Sequence, residues 1–151
     1  MPQSLSVVYL HLVFSTKDRR PLLRDPILRA EMHAWLAASS RKLGCPSILI
    51  GGVEDHVHIL ARHGRTISQA DWVKELKRTS SLWIKERDRG ASDFAWQAGY
   101  GVFSVSAANL EAVRDYVARQ EEHHRAPSFQ DEFRTLLQSH GETWDEQYVW
   151  D

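Results

Sequence analysis

The sequence predicts an α+β protein: a ferredoxin-like (RRM-like) antiparallel sheet packed by helices, with an additional C-terminal helix. Three observations carry this. The elements read β-α-β-β-α-β-α plus a tail, and strand–helix–strand used twice is the split pattern of that sheet. Each segment shows the apolar period its type requires. No repeat, low-complexity run or linker divides the 151 residues, so residues 1–151 are read as a single domain.

"SVVYLHLVFST" (6–16) is β-branched and aromatic and precedes the turn-like "TKDRRP", as a buried strand would. After Asp25, Pro26 suits a first helical position, and Leu28, Met32, Trp35, Leu36 and Leu43 share one stripe before Gly44 closes the helix. "PSILIGGV" and "HVHILARH", parted by Glu54 and Asp55, read as neighbouring antiparallel strands. Ser68 can cap a helix running to about Arg89, with Trp72, Leu76 and Trp83 inward and Lys74, Lys77, Arg78 and Lys85 mostly outward. In "FAWQAGYGVFSVS" (94–106) the alternation changes phase after Tyr100, which predicts a bulge at Gly99 or Gly101. "SAANLEAVRDYVARQEEHH" (106–124) is predicted as a helix capped by Ser106 and ended before Pro127. The tail beyond reads as a short amphipathic segment and a docked, aromatic-rich end.

At 42% hydrophobic and 26% charged residues, the composition is that of an ordered globular chain. The lone Cys45 excludes an internal disulfide and fits a reducing compartment. "MPQSLSVVYL" lacks a basic region followed by a long apolar run, and no apolar run reaches the ~18 residues of a membrane helix. The expectation is a soluble, cytoplasmic protein. Net charge is −1, which argues against a whole-surface nucleic-acid binder. The total hides an asymmetry: residues 1–90 carry 15 basic against 9 acidic side chains, and residues 91–151 carry 4 against 11. The halves can attract each other or leave one basic face for a phosphate backbone; a solvated mosaic surface is the alternative.

Side chains alternate along a strand, so His56 and His58 project from one face roughly 6–7 Å apart, with Val57 on the other. Two imidazoles at that spacing can share a divalent metal; two half-buried strand histidines are the alternative. A histidine-triad nucleotide hydrolase would need histidine at 60, which is Leu60, and a two-histidine phosphoesterase would need Ser or Thr at 58. Tyr116 and Gln120 stand at i and i+4 and share a helix face that Val113 and Val117 would press onto a sheet. Alone, such a pair is ordinarily structural.

In combination these segments resemble one family. "EDHVHIL" is similar to the histidine–hydrophobic–histidine signature of single-tyrosine HUH transposases, small bacterial insertion-sequence enzymes acting on single-stranded DNA. "DYVARQEEHH" resembles that family's catalytic helix, where a polar metal ligand follows the tyrosine by four residues. "VVYLHLVFSTKDRRPLL", "VKELKRTSS" and "WQAGYGVFSVS" are similar to family segments before, between and after these sites. The resemblance covers nearly the whole chain and extends to REP-associated tyrosine transposases, relatives domesticated to process repeated palindromes. Two departures stand out. Glu54 and Asp55 replace the small, Pro or Asn residues frequent before the histidines, so an acid there is either a further ligand or the support of one histidine tautomer. The acidic C-terminal third is unusual for a DNA enzyme.

The resemblance implies that the C-terminal helix is catalytic, with Tyr116 as nucleophile and His56, His58 and Gln120 as metal ligands. That neutral set leaves a divalent charge uncompensated, which suits Mg²⁺ or Mn²⁺. The implied activity is cleavage and rejoining of single-stranded DNA at hairpin-bearing element ends, through a 5′-phosphotyrosine and a free 3′-hydroxyl. The sequence names no base for the tyrosine, whose ordinary pKa is near ~10. The implied partners are hairpin-bearing single-stranded DNA and a second copy in a homodimer, with the tyrosine serving its own or its partner's site. Lys17, Arg19, Arg20, Lys74, Lys77 and Arg78 are candidate phosphate contacts, with solvated charges as the alternative. His123 and His124 read as solvated helix-end cations. Alternatives within the resemblance are a domesticated palindrome-processing relative and a catalytically silent DNA-hairpin-binding protein.

Overall fold

The computed structural model of the chain describes residues 2–123 and 127–151. Its elements are β1 (Tyr9–Ser15), α1 (Pro26–Lys42), β2 (Ser47–Gly52), β3 (His56–Arg62), α2 (Gln69–Arg87), β4 (Gly101–Val105), α3 (Leu110–Ala118), α4 (Gln120–His123) and α5 (Phe129–Ser139). The strands form one sheet in the order β2-β3-β1-β4, with every neighbouring pair antiparallel. The expected ferredoxin-like α+β fold is present.

The helix starts follow from local chemistry. Asp25 accepts from the Ile27 amide with Pro26 at the first position, and Ser68 accepts from the Asp71 amide; both satisfy donors a helix leaves unpaired. Strand alternation then sorts the sheet into two faces. Leu10, Leu12 and Phe14 of β1 lie opposite Ala61, Ile59 and Val57 of β3 and pack against Met32, Leu36, Trp72 and Leu76 of α1 and α2. The other face presents His11, Val13 and Ser15 beside Leu60, His58 and His56. There Val13 and Phe103 meet Phe129, Phe133 and Leu137 of α5.

Two glycines set how closely helices approach that second face. Gly51, opposite His58 in the ladder, faces the Val117 carbonyl of α3 so closely that a Cβ would fall on its oxygen. A Cβ at Gly101 would strike the Phe133 ring of α5.

Several expectations are corrected. In the 94–106 segment only Gly101–Val105 is strand, and Trp96 makes an isolated bridge to Thr16. Regular pairing onward from Val13 and Gly101 would set Ala98 opposite Thr16, so two extra residues interrupt the strand rather than one bulge residue. Their backbone groups are satisfied off the ladder. The Lys77 ammonium donates to the carbonyls of Gln97, Ala98 and Gly99 at 2.8, 3.3 and 2.6 Å, and the Gly99 amide donates to the Asp151 carbonyl at 2.8 Å. The helix expected over 106–124 is broken. Ser106 caps a 3₁₀ turn, α3 follows, and Arg119 (φ −103°, ψ 25°) separates it from α4. His124 and the side chain of His123 lie outside the described residues. Trp35, expected in the core, is 37% exposed; it stacks on Trp83 with centroids 5.6 Å apart, at the edge of the α1–α2 contact. No helix among the described residues is long and apolar enough to cross a membrane.

His33 on α1 is partly buried, and its Nε2 has no hydrogen-bond partner among the described residues. Burial, then the Arg29 charge, pulls its pKa down to about 4. An unfolded histidine titrates near ~6.5, so as pH falls the unfolded chain takes up this proton first and the fold loses stability from ~6.5 down to the lowered value. Urea unfolding is expected to show about 2 kcal/mol lost through this residue between pH 7 and pH 4.5, and His33→Leu to flatten that slope. An unchanged slope would assign the acid sensitivity to other groups.

Candidate metal and tyrosine site

The site is assembled from strands first. His56 and His58 share the α3–α5 face of β3, both fully buried, with ring centroids 5.2 Å apart. Each ring is held from behind. His56 Nδ1 lies 2.7 Å from Asp55 Oδ1, and His58 Nδ1 lies 2.7 Å from His11 Nε2 on β1. With Nδ1 engaged in this way, Nε2 of each ring is turned to the same small volume. For His58 Nε2 to offer a lone pair there, His58 Nδ1 must carry the proton and donate to His11.

Helices supply the rest. Gln120, 1% exposed, places its Oε1 3.3 Å from His56 Nε2, while its Nε2 donates to the Tyr116 carbonyl at 3.3 Å. That second bond fixes which end of the amide faces the histidine. Glu132 of α5, 8% exposed, stands between the two imidazoles, with Oε1 3.0 Å from His58 Nε2 and Oε2 3.5 Å from His56 Nε2. The Tyr116 hydroxyl donates to Glu132 Oε1. The Phe129 ring covers His56 at a centroid distance of 4.6 Å.

The charges follow from these neighbours. Burial alone would lower the His56 pKa, but Asp55 and Glu132 outweigh it and hold it at about 9. Burial, with His58 alongside, pulls His11 down to about 3, so His11 is neutral. Tyr116 is raised above its ordinary value, chiefly by burial and then by the Glu132 carboxylate. A buried carboxylate is tolerated only where such partners surround it.

His56, His58 and Glu132 offer ligand atoms all within 4.8 Å of one another. Two imidazole nitrogens and a carboxylate, with an amide oxygen beside them, fit a divalent cation with bonds of roughly 2.0–2.2 Å. His11→Phe is expected to lower metal affinity by roughly 10- to 100-fold, because ring-orienting partners have that leverage. Isothermal titration with Mn²⁺ would measure it. An unchanged affinity would mean that packing alone aims His58.

Of the residues singled out in the sequence, His56, His58, Tyr116 and Gln120 converge here. Asp55 supports a histidine ring, while Glu54 is half exposed and 3.9 Å from Arg24. The sequence reading missed Glu132 and His11. The signal for Glu132 was an acid inside the apolar stripe Phe129, Phe133, Leu136 and Leu137. The six basic candidates are three residues of α2 and three that follow β1. Lys74, Lys77 and Arg78 belong to α2, across the sheet from the histidines. Lys77 is the clamp on the 97–99 carbonyls, and burial lowers its pKa to about 8. Arg78 pairs with Glu75 at 2.7 Å and Arg20 with Asp93 at 2.7 Å. Arg19 lies over the Trp150 ring at 5.8 Å, and Lys17 and Lys74 are exposed.

Comparison with known proteins adds the following. A family model described as "Transposase IS200 like" matches residues 4–120. The crystal structure of a candidate transposase from Deinococcus radiodurans R1 is 21% identical, covers 80% of this chain and 95% of its own, and has a TM-score of 0.62. A REP-associated tyrosine transposase bound to a REP hairpin is 11% identical, with coverage of 83% and 75% and a TM-score of 0.60. At these identities the likeness to the two structures is one of fold. No curated protein matches the chain. The family span ends at Gln120, so Glu132 lies beyond it.

Proposed function

The chain belongs to the IS200-like transposase family, and we propose that it cleaves and rejoins single-stranded DNA with Tyr116 as nucleophile and a divalent ion at His56, His58, Gln120 and Glu132. One observation carries this reading: the Tyr116 hydroxyl and both Nε2 atoms gather around a single buried carboxylate, with the Gln120 oxygen beside His56 Nε2. Mg²⁺ or Mn²⁺, when bound, would draw charge from an oxygen of the scissile phosphate. Tyr116 Oη attacks phosphorus in line, its proton passes to Glu132 Oε1, and the 3′-oxygen leaves and takes up a proton. The DNA end remains as a 5′-phosphotyrosine, which conserves the bond for rejoining. Before that step Glu132 keeps the hydroxyl oriented and protonated. Gln120, tied back to its own helix, keeps an oxygen toward His56.

In this reading residues 1–151 work as one domain, and two copies pair as a homodimer. Hairpin-bearing DNA is the first substrate to test, since a structural relative is bound to a REP hairpin. Labelled single-stranded oligonucleotides carrying hairpins, incubated with Mg²⁺ or Mn²⁺ and run on a denaturing protein gel, should give a covalent adduct that chelation abolishes. Hairpin binding with no adduct under any divalent ion would instead make the chain a silent binder.

A further inference from the structure

A cleft of about 350 Å³ opens beside Tyr116, between β4, α3 and α5. Its floor is His11 and its walls include Phe103, Val113 and Leu136. The geometry points to this cleft as the seat of one unpaired nucleobase, that of the nucleotide whose 5′-phosphate Tyr116 takes. The inference rests on the strand-transfer reading above.

Four features argue for that occupant. The volume is at the low end for ligand pockets, enough for a single base. The lining is rich in rings: His11 meets Tyr116 at 6.2 Å and Phe103 at 6.3 Å, and Phe103 lies 4.6 Å from His140. Such faces stack bases of any identity. No carboxylate is among the described residues that line the cleft, so its walls set no like charge against a nucleotide's phosphate. Finally, Asn109 stands at the rim, exposed, and its side chain makes no cap bond to α3. A carboxamide offers both a donor and an acceptor to a base edge. Stacking therefore supplies affinity, and Asn109 supplies preference among bases.

The test is an NMR titration of the full metal-free chain with each of the four deoxynucleoside 5′-monophosphates, following the Val113 methyls. They should shift, at the lowest concentration for one of the four nucleotides. Ala112, exposed on α3 at the cleft wall, is not itself a reacting group and can be enlarged into the cleft. Ala112→Phe should fill the cleft and abolish the shifts. Asn109→Ala should keep them and shrink the preference by roughly three- to tenfold, the worth of one hydrogen bond. Absence of Val113 shifts, or shifts that persist in Ala112→Phe, would overturn the assignment. The adduct assay separates the two readings. Methyl shifts without any adduct would sink strand transfer and leave the cleft a nucleotide site. A full adduct yield in Ala112→Phe would sink the cleft and leave strand transfer standing.

Discussion

Tyr116→Phe is expected to lower covalent adduct formation by more than roughly 10⁴-fold, the scale on which removing a nucleophile acts. Hairpin affinity should change by less than about threefold, since one neutral hydrogen bond is worth ~1 kcal/mol or less when its partner keeps others. The substitution deletes a single oxygen. The ring that remains still packs edge-on against His58 and His11, at centroid distances of 5.8 and 6.2 Å, so α3 keeps its seat. Glu132 loses one donor but retains His58 at 3.0 Å. Metal uptake should therefore survive, and Mn²⁺ titration of the variant gives the control that distinguishes lost chemistry from a lost site. An adduct at the parent rate would assign the nucleophile to another side chain.

Gly51→Ala is the second large effect. Its Cβ would fall on the Val117 carbonyl oxygen, which is backbone and cannot rotate away as a side chain can. Either β2 or α3 must move. Tyr116 precedes Val117 and would move with α3, whereas His58, opposite Gly51 in the ladder, would stay with the sheet. Overpacking of this kind costs about 1–3 kcal/mol, and a displacement near 1 Å at a reacting group costs about 10²-fold in rate. Single-turnover adduct formation and thermal unfolding would report the two effects separately. Gly90→Ala is the matched control, because a Cβ there meets only the Asp88 Oδ1 at 3.2 Å. A parent rate in Gly51→Ala would show that α3 is positioned from elsewhere.

Much of this was legible in the sequence because the relevant patterns are local. The period-2 alternation of "HVHILARH" fixed which side His56 and His58 share. Asp25, Ser68 and Ser106 marked where helical structure begins, and i,i+4 spacing put Tyr116 and Gln120 together. What was missed depends on distance along the chain. His11 reads as one polar residue in a buried strand until the ladder sets β1 beside β3. Glu132 is one acid among several in an acidic tail, and only the docking of α5 turns its stripe inward. Trp35 fits the helical stripe by angle, yet stacking on Trp83 leaves it at the surface. The short β4 follows from Lys77, a residue on another element that draws three carbonyls off the ladder. The break at Arg119 has no evident signal in "DYVARQEEHH".

β1 runs through the middle of the sheet, yet the partner on its second side is made late. Ser15 bonds to Gln97, 82 positions further on, and at about 5–20 residues per second a ribosome needs roughly 4–16 s to bridge that interval. Through it, one margin of an apolar strand stands with its amides and carbonyls unmatched, the condition in which nascent chains stick to one another. Glu132 is synthesised later still, so a half-made chain carries a risk of clumping but no assembled centre. On the proposed reading, the centre closes only once the helix that carries Glu132 has docked.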